Sequence, residues 1–248
     1  MQNSGKEGRK AATDEKDPKM VSLVRSSRWF FQQGMQRVED SQFEKALLFV
    51  RRASDMKPGN REYHFNMAGI LAAMEEYGKS NQCLRRMLRS RKTGMADCYY
   101  GMGCNYFDME HYASAVSCFE KYLRLEPEGL FSSEACRAVF HMTMEGMVPF
   151  RASWRRVIGT AVSRREKTYA RRTEYLHELE WIWLHLVYVI LNGKVPVIRH
   201  VQYWAVFLEY LYCCMHRHEV VYHTMAAKYG MTDTALRRKI ASVLRQIK

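Results

Sequence analysis

Proline and glycine are scarce in this chain, five and fourteen among 248 residues, and no long stretch alternates apolar and polar side chains with period two. Strand-and-turn architectures depend on both features, so their lack leaves an all-α chain. Also missing are a glycine-rich phosphate loop, a nucleophile placed beside a base, and carboxylates paired at a catalytic spacing. Those patterns carry phosphoryl, acyl and glycosyl chemistry, and without them the chain is expected to be no enzyme and to hold no cofactor. Cys104 and His111 form no nucleophile pair by this reading, because a cysteine on an amphipathic helix usually serves packing.

Metal-ligand spacing is absent as well. Cys213, Cys214, His216, His218 and His223 lie close in sequence, yet they make no C-x-x-C or H-x-x-x-H pair. Neighbouring cysteines on a helix point about 100° apart, which argues against a shared zinc. The seven cysteines form no paired framework, and the N-terminus shows no charged-then-apolar signal segment, so reduced thiols and a cytoplasmic location are expected. The longest apolar run, Trp181 to Leu191, has eleven residues and contains His185. A bilayer needs about 20, so a buried helix and no membrane contact are expected.

What the chain does have is positive charge and a periodic pattern. Its formal net charge is +13, of which residues 145–198 carry +4 and residues 199–248 carry +5. An excess gathered in one half favours a polyanionic partner, nucleic acid above all, beside the plainer reading of a solvated basic surface.

The periodic pattern is clearest from Ala96 to Gly129. Counting Ala96 as position 1, Gly103 stands at position 8, Tyr106 at 11, Tyr112 at 17, Ala115 at 20, Phe119 at 24 and Pro127 at 32. From Ser27 the same positions hold Gly34, Phe43, Ala46 and Pro58, so Gly34 to Gly103, Ala46 to Ala115 and Pro58 to Pro127 each span 69 residues. Small residues are needed where two helices cross, large ones where they wedge, and proline stops the second helix. A weaker middle unit, 61–94, keeps Ala68, Leu71, Tyr77 and Leu84 but has Ser80 in place of the small alanine. These residues make the chain resemble tetratricopeptide repeat proteins over about 100 residues. The resemblance implies an α-solenoid of three helix pairs, units 27–60, 61–94 and 96–129, closed by a capping helix near Ser132 to Glu145.

In such arrays the first helix of each unit lines a concave groove. The matching positions here are Phe31, Met35, Phe65, Asn66, Tyr100, Cys104 and Phe107, an apolar and aromatic set. Phe31 and Met35 stand where a carboxylate-clamping relative carries Lys and Asn, and Asp97 and Gly101 replace its later basic residues. Capture of a C-terminal carboxylate is therefore disfavoured. The expected occupant is an apolar helix, from a protein or peptide partner or from this chain's own C-terminal half.

Residues 1–20 are polar, mixed in charge and read as a disordered lead-in, with helical periodicity starting near Val21. The array with its cap spans 21–145. Residues 146–195 form basic connecting helices, with eight basic residues and only Glu166 as an acid between Arg151 and Arg172. Residues 196–248 read as three helices, of which the last two resemble a helix-turn-helix. Ala226 sits at the crossing, Gly230 at the tight turn, and Thr232 caps the third helix, while Lys239 stands where that pattern is apolar. The resemblance makes Thr232, Thr234, Arg237, Arg238 and Arg245 candidate DNA contacts. Two functions remain open: a protein-binding adaptor or regulator that also contacts DNA, and a pure interaction scaffold whose C-terminal helices cap the array and fill its groove. A third is a switch in which a peptide competes with the chain's own helix for the groove.

Overall fold

The computed structural model describes residues 25–89 and 95–245. The lead-in 1–20, the helical start at Val21, the end of the middle unit at 90–94 and Lys248 lie outside the described residues. All regular structure among the described residues is helical.

Six helices form three successive pairs: α1 (Ser27–Glu39) with α2 (Phe43–Met56), α3 (Arg61–Ala73) with α4 (Tyr77–Arg89), and α5 (Met95–Asp108) with α6 (Tyr112–Leu125). Ser26 caps α1 by accepting from the Trp29 amide at 3.2 Å, and Asn60 caps α3 from the Glu62 amide at 2.9 Å. Each pair turns through a residue in the left-handed region, Ser41, Glu75 and Glu110, at φ 57°, 59° and 59°. All three occupy position 15 of their units, so the backbone of the middle unit repeats faithfully where its side chains do not.

The small residues act as steric reasoning requires. A Cβ on Gly34 would lie 2.6 Å from Val50 Cγ2, and one on Gly103 would lie 2.7 Å from Phe119 Cε1. Phe119 thus fills the space over Gly103 inside its own unit. Ser80 has a different logic: Asn105 Nδ2 donates to Ser80 Oγ at 2.8 Å and to Asn81 Oδ1 at 2.9 Å. All three side chains are buried, so the second and third units are joined by a satisfied polar link rather than by a methyl contact.

The C-terminal half begins with α7 (Ser132–Met144), which covers α6 as expected of a cap. It continues through α8 (Ala152–Ser163), α9 (Arg172–Leu184), a π-helical turn (His185–Ile190), α10 (Val201–Met215), α11 (Tyr222–Lys228) and α12 (Asp233–Leu244). The basic stretch leaves the helix between α8 and α9, where Arg165 Nη1 donates to the carbonyls of Glu166, Tyr169 and Ala170 at 3.2, 3.3 and 2.8 Å. α10 packs on α8, α9 and α12, around Trp154, Trp183 and Trp204, whose rings meet edge to face at 5.9 and 5.6 Å. One buried cluster runs from Ala96 to Val243, crossing residues 145 and 195 without a break.

The joint between array and C-terminal half centres on Glu120 of α6, which is buried. Tyr188 Oη donates to its Oε1 at 2.8 Å, and the Arg151 guanidinium pairs with its Oε2. Gly193 lies against Leu123, and Asn192 Nδ2 donates to the Pro127 carbonyl.

Candidate protein-binding face

The first helices of the three units expose the same positions. Position 2 holds Arg28, Glu62 and Asp97; position 6 holds Gln32, Asn66 and Gly101; position 9 holds Met35, Gly69 and Cys104; position 13 holds Glu39, Ala73 and Asp108. Spaced three and four residues apart, they share one side of each helix, and every one is exposed or half-buried. Over the second and third units its floor is small, made by Gly69, Ala73, Gly101 and Cys104, while Gln32 and Met35 fill the first. Four carboxylates, Glu39, Glu62, Asp97 and Asp108, stand along its edges against the single base Arg28, and among the described residues none of the four is in an ion pair.

The seven residues expected in the groove divide between this strip and the seams beside it. Met35, Asn66, Cys104 and Phe107 reach the strip or its end, with Phe107 edge-on to Tyr112 at 5.8 Å. Phe31 instead stacks on Tyr63 at 4.8 Å, and Phe65 packs against the buried cluster of Ala68, Leu84 and Met102. Tyr100 stacks on Phe131 at 4.3 Å, so the residue preceding the cap helix covers it. Burial pushes the Tyr100 hydroxyl up to about 12 and raises the Cys104 thiol beside it. A thiol held protonated is no nucleophile at neutral pH. The strip is therefore more acidic and less aromatic than the repeat positions implied. Glu62, Asp97, Gly69 and Ala73 were legible only by reading the same four positions across all three units.

The expected filling of the groove by the chain's own C-terminal helices does not occur over the first two units. The buried clusters of those units draw only on residues between Phe31 and Cys118. The C-terminal half caps the end of the array and leaves the strip open over those two units, while in the third Tyr100 and Cys104 pack against the cluster that the C-terminal half shares.

The helix-turn-helix candidates are placed on α11 and α12. Gly230 has φ +67° and the Thr232 hydroxyl accepts from the Ala235 amide at 3.2 Å, the turn and cap that the sequence implied. Leu236, Ile240 and Val243 are buried toward α10 and α11. Lys239 lies over the Trp204 ring at 3.2 Å, which explains a lysine at an apolar position. Arg237 is already engaged, with Nε 3.0 Å from Asp233 Oδ1 and its guanidinium 4.1 Å over Tyr222. Arg245 Nε bonds the Ala241 carbonyl, while Thr234 and Arg238 are exposed.

Glu209 of α10 holds this unit to the bundle, and sequence reading passed over it. It is 1% exposed. Tyr169 Oη donates to Oε1 at 2.9 Å, Tyr229 Oη to Oε2 at 2.7 Å, and Lys228 Nζ bridges Glu209 and Glu166 at 2.6 Å each. Burial and then the Glu209 charge hold the Tyr229 hydroxyl well above the ordinary tyrosine range. Lys228 and Tyr229 are thus structural, and no three of His, Cys, Asp and Glu among the described residues converge on a metal-sized site.

A sequence model of the tetratricopeptide repeat family matches residues 96–128. The third unit is thus a tetratricopeptide repeat, and the two before it share its helix-pair geometry. The chain is also similar to the TPR repeat-containing protein YvcD of Bacillus subtilis (strain 168), at 22% identity over 127 residues. That match covers 51% of this chain and 26% of the relative, so the chain spans about a quarter of that protein's length. Repeats of this family and an open face together support a protein-interaction role. No helix of the described residues is long and apolar enough to cross a membrane.

Proposed function

We propose that this chain is a protein-binding adaptor whose tetratricopeptide strip receives a basic amphipathic segment of a partner, and that it catalyses no reaction itself. The observation that carries the proposal is the row of unpaired carboxylates over small residues, on a face that the chain's own helices leave uncovered. A helix bearing lysines on one side and small apolar residues on the other meets that surface in shape and charge. Met35, Asn66, Cys104 and Phe107 are the contact residues in this reading; Phe31, Phe65 and Tyr100 shape the floor from the seams.

The test is titration of the full chain with a helical Lys-Leu peptide, beside Asp97→Lys/Asp108→Lys. The expected loss is about tenfold or more, since two reversed contacts worth about 0.7 kcal/mol each amount to 1.4 kcal/mol. Equal affinity in a folded double variant would remove the strip as the site.

A second reading rests on α11 and α12. The exposed Thr234 and Arg238, on a segment 199–248 of formal charge +5, support contact with DNA phosphates. Binding of the full chain to duplex DNA that weakens steeply with salt and falls in Arg238→Glu would support it; no binding at low salt would leave the adaptor without a nucleic-acid partner.

A further inference from the structure

The array has a second concavity on its other side. α2, α3 and α4 enclose a groove of about 560 Å³, within the usual size of ligand sites. His64, Met67 and Leu71 of α3 line it, and by helical rotation they lie about 180° from Glu62, Asn66, Gly69 and Ala73 of the strip. The two sites therefore share α3 and face opposite ways.

The charge is opposite too. α4 carries Lys79, Arg85, Arg86 and Arg89 and no acid. Arg51 of α2 and Arg86 of α4 stand on facing walls of the groove, both exposed and both outside any ion pair among the described residues. Cys83 lines the same groove: burial raises its thiol, and both guanidiniums act on it in the opposing direction, Arg86 the more strongly. Two cations from two helices thus line one groove. Among the described residues Asp55 is the one carboxylate on the lining, and Lys79 is engaged by Glu76. The floor beyond Cys83 is apolar, made by Met67, Leu71 and Met87. His64 closes one end, its ring fixed by the Pro58 carbonyl at 2.8 Å and Ser54 Oγ at 3.3 Å.

Cationic walls over an apolar floor suit a ligand that alternates negative and apolar groups. Single-stranded nucleic acid would instead call for aromatic platforms on which bases stack, and among the described residues no Phe, Tyr or Trp lines the groove. We propose that this groove binds an acidic extended segment of a partner protein, its carboxylates on Arg51 and Arg86 and an apolar side chain on Met67 and Leu71. The array then carries two docking sites of opposite sign, and it joins a basic segment to an acidic one. This site does not depend on the strip, and either can fail alone.

The experiment measures fluorescence anisotropy of a fluorescein-labelled peptide alternating Glu and Leu, and of its Lys-Leu counterpart, with the full chain. Wild type binds the Glu-Leu peptide. Arg51→Glu/Arg86→Glu weakens that binding by about tenfold or more, Arg51→Gln/Arg86→Gln by less, and Asp97→Lys/Asp108→Lys not at all. Alkylation of Cys83 by iodoacetamide, followed by mass spectrometry of its peptide, slows when the Glu-Leu peptide is bound. Glu-Leu binding no tighter than Lys-Leu to the Arg51/Arg86 site, unchanged affinity in both folded double variants, or unprotected Cys83 would overturn the proposal. So would oligonucleotide binding that is lost in the same variants, which would reassign the groove to nucleic acid.

Discussion

Tyr188→Phe probes how the repeats are held to the rest of the chain. The hydroxyl it removes donates 2.8 Å to Glu120 Oε1, and both side chains are buried, Tyr188 at 2% exposure. A hydrogen bond to a charged, buried group is worth about 1.5–3 kcal/mol. Arg151 still pairs with the other oxygen, so the carboxylate is not left alone, and the expected cost is about 2 kcal/mol. For a chain of this size that shifts Tm down by about 4–8 °C. Far-UV circular dichroism reports the whole helical content, and tryptophan fluorescence, read in a Trp29→Phe background, reports the C-terminal side, where the other four tryptophans lie and Trp154 is 6.2 Å from the Tyr188 ring. If the Glu120 joint couples the two halves, both signals move together. A Tyr188→Phe protein that melts within about 1 °C of wild type would refute this account of the joint, and a drop in fluorescence midpoint alone would show that the array melts independently.

Three further substitutions test other parts of the packing. The Tyr175 hydroxyl is fully buried with no partner among the described residues, so Tyr175→Phe should raise stability by about 1 kcal/mol in urea melts. Lys228→Met leaves the buried Glu209 carboxylate with two tyrosine hydroxyls and no cation, and should destabilise by about 3 kcal/mol, the low end for a broken buried pair. Burial pushes Lys239 down to about 8 from 10.5, with the Trp204 face offsetting part of that cost. Between those values the unfolded chain holds more protons at this site than the folded one, so stability rises with pH there. Urea melts of wild type and Lys239→Met across that window should show wild type gaining on the variant, and parallel curves would contradict the assignment.

Much of the fold was readable because steric need repeats with the chain. Gly34 and Gly103 recur at a fixed offset since each sits under a side chain that a Cβ would strike, and Gly230 and Thr232 announce a turn and a cap by their residue types. Other features left no such mark. Ser41, Glu75 and Glu110 adopt the left-handed turn without the glycine or asparagine that usually signals it. Aromatic side chains at positions 4, 5 and 12 of a repeat are equally apolar whether they face a groove or a seam, and only the neighbours Tyr63 and Phe131 decide. Glu209 stands alone in an apolar helix, with partners 19 to 40 residues away along the chain. Net charge also hides a separation within the repeats, since the strip carboxylates Glu39, Glu62, Asp97 and Asp108 lie on first helices and Lys79, Arg85, Arg86 and Arg89 on a second helix.

The central claim is that partners dock on the open strip of the first helices. Its most direct test places a photo-crosslinking benzoylphenylalanine at Asn66, at Cys104 and, as a control on the basic connecting helix, at Arg156, in the full chain inside its host cell. Crosslinks of one defined protein from positions 66 and 104, absent from 156 and lost when Asp97→Lys/Asp108→Lys is added, are the predicted result. Crosslinks from 156 alone, or none from the strip while the protein is folded and expressed, would contradict it.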